Sequence, residues 1–201
     1  MAPVSLVLLF GLIVFWGVSL QNVLSTKNKE TTPQTSSPMS LGFILALLGS
    51  LGMFAEALAL IALDLNGSIV IGLSLVEGLG AVLFFIGCLL HAWSVAVRGK
   101  NAVSWSMSEG QELITSGPYA VVRHPSYLAY MLMIIGVTAV WQVWFTFIPW
   151  VAIPGYYLVS KKEDALLLQH FDHRYSRYLE RVGAFIPKLG GRREAQRDYP
   201  E

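Results

Sequence analysis

The chain has 201 residues, of which 54% are hydrophobic and only 13% are charged. Soluble domains carry about 25% charged residues, so the composition excludes an ordinary soluble fold and indicates a membrane protein. The formal net charge of +1 gives no reason to expect nucleic-acid binding, and the single cysteine excludes an internal disulfide framework.

Five apolar segments follow one another along the chain, and each is predicted to cross a bilayer, for which about 20 mostly apolar residues suffice. They cover residues 3–20, 41–63, 68–97, 125–140 and 143–160. Neither Lys nor Arg precedes the first, so we expect an uncleaved helix rather than a signal peptide. Pro149 and Pro154 are expected to kink the fifth.

The basic residues set the predicted orientation. All 14 Lys and Arg residues follow the first, third or fifth segment, and five spans place them on one side, which is the cytoplasm by the positive-inside rule. The predicted fold is therefore an all-α integral membrane protein with its N-terminus outside and its C-terminus cytoplasmic. Residues 1–187 form a single membrane domain that ends in an amphipathic helix, and residues 188–201 form a polar tail.

The amphipathic helix is predicted from about Lys161 to Val182. Its apolar and aromatic residues recur at the spacing of one helical face. They are Leu167, Phe171, Tyr175, Tyr178, Leu179 and Val182. Such a helix either rests on lipid headgroups or covers a binding site as a lid. We favour the lid, because Glu163 lies in its first turn.

Polar residues concentrate before the fourth span, between Gln111 and Tyr127. Gly117–Pro118 predicts a turn. His124 precedes Pro125, which suits the first position of a helix. Because helix N-termini present free N–H groups, this one is a candidate site for a cofactor carboxylate or ribose hydroxyl.

Two tyrosines in this segment, Tyr119 and Tyr127, offer aromatic faces to an adenine or to a sulfonium cation. The alternative is that Arg123 and the tyrosines are interfacial anchors, which membrane helices commonly carry. Residue types alone do not separate these interpretations.

The segment Leu113–Tyr127, Leu-Ile-Thr-Ser-Gly-Pro-Tyr-Ala-Val-Val-Arg-His-Pro-Ser-Tyr, resembles the signature of the isoprenylcysteine carboxyl methyltransferase family. The end of the chain is similar to the same family in its paired acids Glu163–Asp164, its Tyr175-x-x-Tyr178 helix and its terminal Phe185–Pro187. The resemblance covers about residues 104–187.

This resemblance implies a methyltransferase that uses S-adenosylmethionine in a cytoplasmic site built from about residues 104–127 and 161–187. The implied cofactor-binding residues are Gln111, Glu112, Leu113, Ile114, Tyr119, His124, Pro125, Ser126, Tyr127 and Glu163. The implied catalytic residues are Glu163, Arg181 and His124. In such enzymes the C-terminal helix closes the pocket, and the acceptor enters sideways from the lipid.

Two positions depart from the family pattern. Gln111 stands where the family has a histidine, and Val159 stands where relatives that methylate a carboxylate have an arginine. The implied acceptor is therefore lipidic or small and apolar, with an isoprenylcysteine-type carboxylate as one candidate. A thiol or amine acceptor would have to lose a proton, for which His124, Glu163 or His170 is available.

The expected partners are membrane lipid and this acceptor, without nucleic acid. No metal is expected, because the four histidines show no ligand spacing with acids.

Two other functions remain open. A sterol-type membrane reductase that uses NADPH would share an Arg-His-x-x-Tyr-like string. A non-enzymatic proton-coupled carrier or structural protein would use Glu56 and Glu77, because acids inside spans are often functional. Both acids are expected at similar depth on adjacent helices, where they share a proton or a hydrogen bond.

Overall fold

The computed structural model describes residues 2–26, 40–69, 71–99 and 112–188. It has six α-helices and two 3₁₀-helices in these ranges. The α-helices are α1 (Pro3–Thr26), α2 (Leu41–Leu65), α3 (Leu75–Arg98), α4 (Pro125–Trp141), α5 (Ala152–Phe171) and α6 (His173–Arg181). The 3₁₀-helices are Gly117–Ala120 and Trp144–Val151.

Three of the helices, α1 to α3, are long and apolar enough to cross a membrane, and α4 is a shorter apolar helix of 17 residues. Large apolar side chains remain exposed along them, including Phe10, Leu51 and Val82. A lipid-facing surface accounts for this exposure. The all-helical membrane fold is thus confirmed for the described residues.

Close backbone contact holds the helices in two groups, in which α3 packs against α1 and α4 while α2 packs against α5. A Cβ on Gly136 would lie 2.7 Å from the carbonyl oxygen of Gly80, and one on Gly155 would lie 2.5 Å from the amide nitrogen of Ala46. Small residues permit such approach between membrane helices.

The third helix begins at Leu75 rather than at residue 68, which corrects the prediction for Glu77. Ser74 is its N-cap and forms a capping box with Glu77, whose carboxylate accepts from the Ser74 amide at 2.7 Å. Glu77 therefore caps α3, and the predicted pairing with Glu56 in mid-membrane is wrong. Glu56 lies in α2 with one carboxyl oxygen buried.

The predicted fifth span also differs in structure. Pro149 lies in a 3₁₀-helix and Pro154 in the first turn of α5, where a missing N–H costs no hydrogen bond. Neither proline kinks an α-helix as predicted.

The helix predicted from Lys161 to Val182 is two helices, because α5 ends at Phe171 and Asp172 takes a positive φ of 44° before α6.

Candidate functional site

The Gly117–Ala120 turn packs on the last turn of α3. Gly117 has a φ of 60°, and a Cβ there would lie 2.9 Å from a methyl carbon of Val97. Glycine meets both requirements, since it adopts positive φ and has no side chain to clash. The turn carries Tyr119 into a buried position close to Arg98 at the end of α3.

His124 is the N-cap of α4 and Pro125 its first residue, as predicted. The backbone before the helix pairs with the segment that follows α6. Val122 forms a parallel bridge with Gly183, the Arg123 amide donates to the Gly183 carbonyl at 2.8 Å, and the His124 amide donates to the Ala184 carbonyl at 3.1 Å. The end of the chain is thus fixed beside the start of α4.

Two acids on α5 contact the ring of His124. Its Nε2 atom lies 2.9 Å from Asp164 Oδ1, and its Nδ1 atom lies 3.5 Å from Glu163 Oε2. The imidazole is 3% exposed and the two carboxylates are 12% and 20% exposed. The cluster therefore connects the second, more polar half of α5 to the start of α4.

Asp164 also binds Arg123 and Tyr175. Arg123 Nη2 lies 2.9 Å from Asp164 Oδ2, and the Tyr175 hydroxyl donates to Asp164 Oδ1 at 2.5 Å. The Arg123 guanidinium donates in addition to the Val182 carbonyl. Burial alone would raise the pKa of Asp164, but the hydrogen bonds and the His124 charge outweigh it and hold that pKa well below its usual range.

The pKa of His124 shifts in the opposite direction. Burial of the ring lowers it, and the hydrogen bonds and charges of Asp164 and Glu163 more than compensate, so that it lies above the ordinary value. The pKa of Tyr175 is raised by burial and by its bond to the Asp164 carboxylate, so this tyrosine stays a hydrogen-bond donor.

The helix α6 covers this cluster with two tyrosines. Tyr175 is 1% exposed, and the Tyr178 hydroxyl donates to the Tyr119 carbonyl at 2.6 Å. Arg174 and Arg177 lie exposed on the other side of α6. The helix therefore lies over the site with its aromatic face inward.

A cavity that is open to solvent lies between these elements, and its empty space, counted together with the solvent at its mouth, is about 500 Å³. It is lined by Arg98, Glu112, Leu113, Ile114, Tyr119, Arg123, His124, Glu163, Leu167, Tyr175 and Tyr178. The lining combines apolar and aromatic walls with two guanidinium and two carboxylate groups.

The structure brings six of the predicted site residues to this cavity. They are Glu112, Leu113, Ile114, Tyr119, His124 and Glu163. Pro125, Ser126 and Tyr127 are buried in the first turn of α4 and are not among the lining residues. Arg181 is half-buried at the end of α6, also outside the lining, and Gln111 lies outside the described residues.

Tyr127 packs within a row of aromatic rings. It stacks on His124 with 5.6 Å between ring centroids and on Tyr156 at 5.2 Å, and Tyr156 stacks on Tyr130 at 5.2 Å. The row begins at the site and continues among the helices. Tyr127 therefore supports the ring of His124 from the side of α4.

Val159, the position where relatives have an arginine, belongs to the apolar core. Its backbone lies beside Gly42 of α2, where a Cβ would approach the Val159 amide nitrogen to 3.4 Å. The basic groups on the cavity are instead Arg98 from α3 and Arg123 from the start of α4.

Sequence reasoning did not assign a role to Arg98 or Arg123 in the site, nor to Asp164. Arg123 precedes His124 in the motif and Asp164 follows Glu163. Their position beside two assigned site residues could have indicated that they also lie in the site. Arg98 is separated from the motif in sequence, and only the packing of Gly117 on α3 brings it to the cavity.

Comparisons with known proteins bear on the family of the chain. Residues 75–174 match the family model described as phospholipid methyltransferase. Protein-S-isoprenylcysteine O-methyltransferase of Tribolium castaneum is 29% identical over 126 residues, which cover 57% of this chain and 43% of that protein. The nickel-cobalt-cadmium resistance protein NccN of Alcaligenes xylosoxydans xylosoxydans is 31% identical over 114 residues, covering 55% and 53%.

The fold resembles a solved structure of the eukaryotic intramembrane Ras methyltransferase, an isoprenylcysteine carboxyl methyltransferase. The TM-score is 0.53 at 22% identity, and the match covers 92% of this chain and 73% of that one. The matched stretches cover only about half the length of the curated relatives. The family model and the relatives support an isoprenylcysteine carboxyl methyltransferase-like family for the chain, and the solved structure supports the fold.

Proposed function

We propose that this protein transfers a methyl group from S-adenosylmethionine to a lipidic or small apolar acceptor. The observation that carries the proposal is the cavity lined by His124 and Glu163, in which the two halves of the family motif meet under α6. Neither the NADPH reductase nor the proton-coupled carrier is favoured, and Glu77 has a structural role as a helix cap.

The lining residues fit the charges of this cofactor. Glu112 and Glu163 offer carboxylates to its ammonium and sulfonium groups, and Arg98 offers a guanidinium to its carboxylate. Leu113 and Ile114 provide an apolar wall for the adenine. When bound, S-adenosylmethionine supplies an activated methyl group, and the chain's residues have to orient it and exclude water. Gln111, Arg181 and the first turn of α4 belong to the proposed site on the family resemblance alone.

The proposed topology has five spans. The helices α1 to α4 provide four, and the 3₁₀-helix Trp144–Val151 with the apolar half of α5 provides the fifth. The N-terminus lies outside, and the cavity faces the cytoplasm beside the lipid. An acceptor with an apolar chain then reaches the cavity from the membrane, and an isoprenylcysteine-type carboxylate is one candidate.

A labelled-methyl transfer assay tests the activity. The purified protein is incubated with radiolabelled S-adenosylmethionine and either a membrane lipid extract or a prenylcysteine analogue. We expect label in an organic-soluble product, reduced at least tenfold in Glu163→Gln because a cavity carboxylate is lost. Glu180→Gln is the matched control, since Glu180 is exposed on α6. Absence of transfer to either class of acceptor would contradict the proposal.

A further inference from the structure

Both ring nitrogens of His124 face carboxylate oxygens. Nε2 lies 2.9 Å from Asp164 Oδ1 and Nδ1 lies 3.5 Å from Glu163 Oε2. A neutral imidazole has one N–H donor and one acceptor nitrogen, so it would turn a lone pair toward one of the two anions. An imidazolium donates to Asp164 and turns its second N–H toward Glu163 as an ion pair, and this geometry matches it.

The charges of the cluster balance only when the ring is a cation. Arg123 and His124 then supply two positive charges against the two negative charges of Glu163 and Asp164. The four side chains are between 3% and 20% exposed. Charges that leave water are tolerated when they are paired and hydrogen-bonded, so neutralising His124 would leave one buried anion in excess.

The two acids have different positions in the cluster. Glu163 lines the cavity, whereas Asp164 does not. Asp164 accepts instead from Arg123, His124 and Tyr175. Its carboxylate therefore acts on the cavity through its neighbours rather than by contact with a ligand.

We propose that Asp164 is a positioning residue that holds His124 as an imidazolium against Glu163, so that His124 serves the site as a hydrogen-bond donor and not as a general base. The consequence for the reaction rests on the proposed function. An acceptor that has to lose a proton finds no base in His124, and His170 lies exposed near the end of α5, outside the cavity lining.

The other groups around His124 leave this assignment intact. From α4 the Tyr127 ring stacks on it, and Phe185 approaches it with a centroid distance of 5.9 Å. Tyr119, Tyr178 and Arg98 line the same cavity from the neighbouring elements. The raised pKa of His124 agrees with the hydrogen bonds and charges of the two carboxylates outweighing burial.

The protonation state is measured directly by nitrogen-15 NMR of the histidine rings in detergent, with the His124 signals assigned by their loss in His124→Gln. We expect both ring nitrogens of wild-type His124 to be protonated at pH 8, well above the ordinary histidine pKa of about 6.5. A neutral ring at pH 8 would overturn the proposal, and no variant is needed for that result.

The variant Asp164→Asn tests the role of Asp164. We expect its His124 ring to be neutral at pH 8 and Asp164→Glu to restore the imidazolium. The matched control is Asp172→Asn, which removes a carboxylate that is 78% exposed and lies beside the exposed His173. An imidazolium that persists in a folded Asp164→Asn protein would overturn the proposal.

Binding of S-adenosylhomocysteine gives a second readout. Its dissociation constant in Asp164→Asn should rise at least tenfold between pH 6 and pH 8, while the wild-type value stays nearly constant. A merely structural role would weaken binding equally at both pH values. Because ring protonation is read without ligand, failure of the wild type to bind S-adenosylhomocysteine would reject the proposed function and leave the NMR result standing.

Discussion

Asp164 and His124 are 40 residues apart in sequence and are joined by a hydrogen bond of 2.9 Å. The bond connects the second, more polar half of α5 to the N-cap of α4. The segment that follows α6 is fixed to the same place by its backbone bonds to Arg123 and His124. Stability and ligand binding should therefore depend together on this contact.

Replacement of Asp164 by alanine should destabilise the protein by about 3–5 kcal/mol, because it leaves the buried guanidinium of Arg123 and the buried ring of His124 without their main partner. The measurement is thermal unfolding in detergent. Glu180→Ala, on the exposed face of α6, should stay within about 0.5 kcal/mol of the wild type. Equal stability of the two variants would show that the cluster contributes little.

Stability should also depend on pH. The raised pKa of His124 gives a contribution that is complete below about pH 6.5 and is lost as the pH rises through the folded-state pKa. The lowered pKa of Asp164 gives a contribution that is complete above about pH 3.9 and is lost as the pH falls through its folded-state value. The unfolding temperature should decline on the alkaline side, and His124→Gln should remove much of that decline. A decline of unchanged size in the variant would contradict the assignment.

Arg98→Gln should weaken binding of S-adenosylhomocysteine about tenfold or more, because a charge-assisted hydrogen bond to the ligand carboxylate is lost. The control ligand is 5′-methylthioadenosine, which has no carboxylate, and its affinity should not change. Calorimetry on both proteins with both ligands measures the difference. Equal losses for the two ligands would show that Arg98 shapes the cavity without binding the carboxylate.

Two glycines of α3 provide a matched test of the helix packing. A Cβ on Gly80 would lie 2.8 Å from the Gly136 carbonyl oxygen, whereas one on Gly78 would meet nothing within 4 Å. Gly80→Ala should lower the unfolding temperature. Gly78→Ala should leave it unchanged or raise it, because alanine is favoured over glycine by up to about 1 kcal/mol in a helix. The reverse order would contradict the close contact of α3 with α4.

The sequence predicted the starts of the helices well where the length of an apolar segment determined them. The helices α1, α2 and α4 begin at their predicted starts. Both α1 and α4 begin with a proline, and α2 follows a polar segment. The error at α3 arose because residues 68–74 are apolar enough to extend a span. The string Ser74-Leu-Val-Glu77 carried the capping-box pattern that marks the actual start.

The site was predicted only as far as the family motif extends. Glu163 and His124 come together as expected, but Asp164 was not assigned a role because its importance depends on which way α5 is turned. Arg98 and the pairing of Val122 with Gly183 arise from contacts between distant segments. The break at Asp172 was missed because the apolar spacing continues through it from α5 into α6.

Calorimetry with S-adenosylhomocysteine on the detergent-purified protein tests the central claim most directly. The proposed function predicts binding to the wild type, affinities lowered at least tenfold in His124→Ala and Glu163→Ala, and an unchanged affinity in Glu56→Gln, whose side chain lies outside the cavity lining. NADPH should not bind. Absence of S-adenosylhomocysteine binding to the folded wild type, or wild-type affinity in both site variants, would contradict the claim that this cavity holds the methyl donor.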